Sequence, residues 1–267
     1  MNTLHVEDFV VLGRTIPEES KKYGQRICMA GFSPDNGQLL RVYPLLVPVG
    51  DSSQANGFKA RHVYTLDLQR NPRDNRIESW QVKDPAVPTL TPWDRAVELS
   101  KDELVKRLRT RVVPSIAVLN ACRLSLGVLI VLAGAWQGET VPRNDPTPPE
   151  NHQSLFDDLE DQAQGMESDI ARVKHAPYIR FTDEAGSHRL QVREWGAYRL
   201  LANPTYADTP DALWTASGYH CEADLMLVVG NMNTHRNNWL VIKTFELGRE
   251  RSNTPTLFDD VADGDSG

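Results

Sequence analysis

Apolar positions along the chain fall into short alternating runs separated by turn residues, with few long helical stripes. In the first half VEDFVVLG (6–13), QRICMAGF (25–32), QLLRVYP (38–44) and RHVYTLDLQ (61–69) read as strands bounded by Gly, Pro and Asn. Pro34 early and Asn36-Gly37 late in SPDNG predict a hairpin between the second and third runs. Helical signals follow. Ser100 with Glu103 forms a capping box ahead of DELVKRLRTR, and Ser115 after Pro114 caps IAVLNACR. SLGVLIVLAG (125–134) then reads as a buried strand closing this half.

The second half repeats the pattern. PYIRFTDE and SHRLQVREW predict strands around EAGS, and WGAYRLLAN predicts a helix. Thr209 as N-cap and Pro210 at the first helical position open a further helix through ALWTASGYH. ADLMLVVGNM and NNWLVIKTF form a final hairpin around NTHRN. Between the halves, 138–169 is rich in Pro, Asp, Glu, Asn and Gln and has too little apolar surface to offset the entropy of ordering. The expected fold is therefore mainly β with some helices (α+β), in two small curved units. The first spans 1–135 with a helical insertion, 136–170 is an acidic flexible linker, 171–252 is the second unit and 253–267 an acidic tail. Strands and helices do not alternate, and neither GxGxxG nor GxxxxGK[ST] follows a strand, which argues against a doubly wound α/β sheet.

Charge changes this picture once it is mapped. The net charge is -7, but 136–170 holds nine acids and one base, and 253–267 holds four acids and no base. The remaining body is mildly basic, which permits an anionic partner without demanding one. Cys28, Cys122 and Cys221 are too few and too scattered for a disulfide framework or a zinc site of cysteine pairs. The seven histidines never adopt HxH or HExxH spacing, so neither a metal nor a cofactor is expected. No apolar run approaches the roughly 20 residues that span a bilayer, and the start lacks a cleavage pattern. The expected location is cytoplasmic, with no membrane partner.

The candidate binding residues cluster in three places. Arg26, Arg41 and Tyr43 lie near NPRDNRIESW, whose Arg73, Arg76 and Trp80 offer guanidinium groups for phosphates and an indole for stacking. Against that reading, Asp74 and Glu78 can pair with the arginines, and Trp80 can be core. In RLQVREWGAYR, strand alternation puts Arg189, Gln191 and Arg193 on one face and Leu190, Val192 and Glu194 on the other, with Trp195 and Tyr198 beyond. His235 and Arg236 sit in the last hairpin turn, where binding residues concentrate. KRLRTR (106–111) spreads around a helix and reads as a solvated face. No arrangement of nucleophile, base or paired acids converges on catalysis. SLFDD (154–158) and TLFDD (256–260) are a near-repeat resembling the bacterial sliding-clamp-binding pattern. Their Leu155, Phe156, Leu257 and Phe258 would fill an apolar pocket on a protein partner or on this protein's own surface.

Taken in order, RICMAGFSPDNGQLLRVYP, NPRDNRIESW, SLGVL (125–129), HAPYIRFTDEAGSHRLQVREW (175–195) and DLMLVVGNMNTHRNNWLVI (224–242) resemble the dual OB-containing domain class. These are poorly characterised bacterial proteins linked with DNA modification and defence systems. The resemblance implies two OB-like barrels in tandem. It further implies a non-catalytic nucleic-acid-binding accessory acting on single-stranded DNA or RNA, since OB-like barrels present aromatic and basic faces to single strands. Some members carry a cysteine pair before the histidine matching His188. Here TDEAGSH stands instead, so any zinc site there is lost. The rival readings are a protein-interaction scaffold using the LFDD peptides, and an enzyme or nucleotide sensor with a cleft between the halves.

Overall fold

The computed structural model describes residues 3–16, 18–20, 24–35, 37–46, 58–143, 173–202, 214, 223–232 and 235–247. Apart from Trp214, the helix expected from Thr209 lies outside these residues, as do both LFDD segments and most of the acidic segment. Among the described residues no helix is long and apolar enough to cross a membrane.

β1 (Thr3–Arg14) uses both of its edges, pairing antiparallel with β3 (Gly24–Ser33) and with β5 (His62–Arg70). β4 (Gln38–Leu46) continues from β3 through the predicted hairpin and then pairs parallel with β6 (Ser79–Val82), which returns to β5. The five strands thus close in the order β1-β3-β4-β6-β5, a small OB-like barrel. The short β2 (Glu18–Ser20) and β7 (Val97–Glu98) extend β3 and β5. Register shifts at Val6/Phe9 and Val11/Gly13 bend β1 enough to meet both neighbours. Alternation sends Phe9, Met29, Leu40, Val42, Tyr64 and Leu66 inward, where they are almost completely buried.

Two short helices follow. α1 (Lys101–Arg109) is capped by Ser100 Oγ, which accepts from Glu103 N at 3.1 Å, as the capping box predicts. It buries Leu104, Val105 and Leu108 and leaves Lys106 and Arg109 exposed, so KRLRTR is a solvated face with an apolar back. α2 (Ile116–Ala121) is capped by Ser115.

The second sheet runs β8-β12-β13-β11-β10-β9. Its strands are β8 (Leu126–Val131), β9 (Trp136–Pro142), β10 (His175–Asp183), β11 (Gly186–Val192), β12 (Asp224–Asn231) and β13 (Trp239–Leu247), with α3 (Trp195–Ala202) after β11. β11 and β13 pair in parallel, as β4 and β6 do. The two ends of the path, β8 and β9, are consecutive in the chain.

Two expectations change here. SLGVLIVLAG does not close the first barrel: β8 pairs along β12 and opens the second sheet. It is apolar on both faces because one face joins Leu225 and Val229 inside the sheet and the other meets the first barrel. Trp136–Pro142, expected to be linker, is a strand paired with β10. Its inward positions are Trp136, Gly138 and Thr140, and Trp136 Nε1 donates to Ala223 O at 2.9 Å. Small and polar inward residues hide such a strand from a hydrophobicity reading.

The sheets meet face to face. Val10, Leu12, Ala30 and Phe32 from the outer side of the first barrel pack with α1 against Leu126, Val128, Met226, Val228, Ile242 and Phe245. Gly13 lies at a close approach, where a Cβ would stand 2.9 Å from Ile242 O and from Lys243 Cβ. A carbonyl oxygen cannot give way to a side chain, so β1 touches β13 here only as glycine.

Candidate nucleic-acid interface

In OB barrels the second and third strands and the loop between the fourth and fifth form the ligand face. In the first barrel these are β3, β4 and the 71–78 loop, which carry most of the first-half candidates. That face is covered. Arg41, from the middle of β4, is 4% exposed and donates through Nη1 to Asn231 O at 2.8 Å and through Nη2 to Ser125 O at 2.5 Å. Arg76 is 5% exposed and donates through Nη1 to the same Asn231 O at 2.6 Å. It is forked onto Asp74, whose Oδ2 also accepts from Ser79 Oγ at 2.6 Å. Glu78 completes the group by accepting from Ser125 N at 2.9 Å and Ser125 Oγ at 2.8 Å. Two guanidinium groups and two carboxylates thus join the first barrel to the start of β8 and the end of β12.

Arg41, Arg76 and Trp80, expected to contact a strand, are therefore corrected: all three side chains are buried inside the molecule. Trp80 belongs to the core and is covered by Arg70, whose guanidinium carbon lies 4.0 Å from the ring centroid. Asp74 and Glu78, the acids that interrupt NPRDNRIESW, balance the charges of Arg41 and Arg76 in this buried group.

Burial lowers the Arg41 pKa below the usual guanidinium range. Burial pushes the Asp74 carboxyl up, but hydrogen bonds from Arg76 and Ser79 outweigh it and hold the pKa below the ordinary carboxylate value. Asp183 behaves likewise: burial raises it, and bonds from His188, Ile116 N and Ala185 N bring it down. A folded pKa depressed below the unfolded value of about 3.9 contributes stability that is full above that value and lost as pH falls through the folded one. Urea midpoints are therefore expected to hold from pH 7 to 5 and to drop below about pH 4, with a shallower drop in Asp74→Asn.

On the outer face of β9, β10 and β11, Gln137, Arg180, Thr182, Ser187 and Arg189 are exposed among the described residues, and Glu139, Tyr178 and Gln191 are half-buried. Gln137 and Glu139 lie on β9, Tyr178, Arg180 and Thr182 on β10, and Ser187, Arg189 and Gln191 on β11. Arg180 and Arg189 are direct cross-strand neighbours, and Tyr178 stands opposite Gln191 on one side and Glu139 on the other. The Arg189 guanidinium carbon lies 3.9 Å from the centroid of the Tyr178 ring. Glu139 accepts from Arg180 Nε at 2.6 Å and also from Arg189 Nε. A shallow depression of about 1150 Å³ runs past Gly134, Gln137, Arg180, Thr182 and Arg189 at one end of this face.

The other candidates scatter. Arg193 follows β11; its backbone N donates to Val241 O at 2.8 Å and its carbonyl accepts from Ile16 N at 2.8 Å, so this stretch ties the sheets together. Trp195 is buried under Arg14. Tyr43 is half-buried, and its carbonyl accepts from Asn71 Nδ2. Arg26 lies on β3, paired with Leu46 and Glu18 in register. Arg73, His235 and Arg236 are exposed near the junction, where Arg236 Nη2 donates to Asn75 Oδ1 and so bridges the two loops. Sequence reading missed Tyr178, Arg180 and Glu139. Alternation in PYIRFTDE could have flagged the first two.

Comparisons with known proteins add little to this geometry. A family described as Domain of unknown function (DUF8758) matches residues 5–109, the first barrel and α1. No curated protein sequence matches the chain. Among solved structures, a murine DNA-binding protein bound with double-stranded DNA is 11% identical, with 92% of this chain and 98% of that chain covered, at a TM-score of 0.32. The Ifi202 HINa domain in complex with 20 bp double-stranded DNA is 8% identical over 92% of this chain and 98% of that one, also at 0.32. Scores this low assign no fold, and the barrel rests on its strand pairing.

Proposed function

We propose that the protein binds single-stranded DNA or RNA on the outer face of β9, β10 and β11, as a non-catalytic accessory with two OB-like barrels in tandem. In this reading β8 and β9 together serve as the bent first strand of the second barrel. The acidic segment after β9 then connects its first and second strands, and 232–238 connects its fourth and fifth. The first barrel has given its ligand face to the second, and the second keeps its own, with Arg180 and Arg189 exposed. A bacterial DNA-processing or defence setting is supported by the resemblance of the motifs alone.

The observation that carries the proposal is the half-buried Tyr178 beside the exposed Arg180 and Arg189 on adjacent strands. An aromatic ring for a base and two guanidinium groups for phosphates are the parts a single strand requires. Because Glu139 offsets one positive charge, affinity is expected to be modest and salt-dependent, with log K falling by roughly 0.7 per neutralised phosphate for each decade of salt. The test is a fluorescence-anisotropy titration with labelled single-stranded DNA, single-stranded RNA and duplex DNA at low ionic strength. Saturable binding, tighter for single strands and lost at high salt, is expected. No binding of any nucleic acid at low salt would sink the proposal.

A further inference from the structure

We propose that Glu139 is a built-in competitor for this site: its carboxylate occupies the place of a strand's phosphodiester and must be displaced for a single strand to bind. This rests on the reading of the β9–β11 face given above.

Arg180 and Arg189 are directly opposite each other across β10 and β11, an arrangement of like charges that disfavours the pair. Glu139 resolves it from the third strand, one carboxylate oxygen on each guanidinium. A carboxylate held between two guanidinium groups and a phosphate held between them share the same charge-assisted geometry. The same contact closes the aromatic platform, because the Arg189 guanidinium that Glu139 holds lies over the Tyr178 ring at 3.9 Å. Displacing Glu139 therefore releases two cations for phosphate and frees Arg189 to leave the ring to a base. Burial pushes the Glu139 carboxyl up, but the two arginines outweigh it and hold its pKa below the ordinary value, so it stays an anion.

Exchange of one anion for another selects by valency. A lone phosphate gains little over the carboxylate already present, whereas a polyanionic strand that also stacks a base gains from several contacts at once. Glu139 thus sets a threshold that favours continuous single strands over free phosphate or mononucleotides.

The experiment titrates wild type, Glu139→Gln, Glu139→Ala and the double variant Arg180→Ala/Arg189→Ala with the same labelled single strand over a range of salt, and with inorganic phosphate as competitor. Thermal midpoints verify folding. Both Glu139 variants are expected to bind about tenfold tighter at low salt, equivalent to 1.4 kcal/mol. Their log K against log salt plots should steepen by about 0.7, and phosphate should compete better than in wild type. A supporting carboxylate that only orders the arginines would give weaker binding and an unchanged slope. If the double arginine variant loses binding while the Glu139 variants fail to gain it, the competitor role is overturned and the site stands. If the arginine variant binds as wild type does, or nothing binds, the site and the competitor role fall together.

Discussion

Arg41→Ala is expected to destabilise the protein by about 3–5 kcal/mol, the cost of breaking a buried charge arrangement from one side. Arg41, Arg76, Asp74 and Glu78 form an electrically balanced set behind surfaces that are at most 6% exposed. Removing one guanidinium leaves a net negative charge where water cannot reach it, and it strips a donor from Ser125 O and from Asn231 O. For a chain of this size the thermal midpoint should fall by about 10 °C. These bonds connect the first barrel to the second sheet, so calorimetry is also expected to resolve the transition into two. An unchanged midpoint would mean that the hub contributes no more than an exposed ion pair.

Arg180→Ala/Arg189→Ala is expected to show the opposite separation, with a large loss of binding and little loss of stability. Both side chains are more than a third exposed, and exposed pairs contribute about 0–1 kcal/mol. Each arginine is assigned one charge-assisted contact to phosphate, worth about 1.5–3 kcal/mol, so the double change should weaken single-strand binding by about a hundredfold or more at low salt. It also leaves Glu139 as an unbalanced negative charge facing the strand. Anisotropy titration with parallel thermal unfolding reads both quantities from one preparation.

The contrast between these two sets of arginines explains what could be read in advance. Strands were legible wherever alternation was clean, as in β1, β3, β4, β10 and β11, and the capping box of α1 and the N-cap of α2 announced themselves through Ser100 and Ser115. Pairing partners were not legible. β8 is equally apolar on both faces, so nothing local says that it belongs with β12 rather than β5. β9 was hidden because its inward positions after Trp136 are glycine and threonine, and its outward Glu139 matched the acidic stretch that follows. Strand alternation placed Arg189 with Gln191 on an outer face, but it could not show that Arg41, in an equally basic and aromatic stretch, points at another sheet. Exposure of an arginine depends on what packs over its strand, and that is a long-range property.

The most direct measurement is an amide hydrogen-exchange footprint of the full chain with and without a saturating single-stranded oligonucleotide. Protection gained at 136–142 and 175–192, with 26–44 and 71–80 unchanged, is the predicted result. Protection gained at 26–44 and 71–80 instead, with β9 to β11 unchanged, would contradict the assignment of the β9–β11 face.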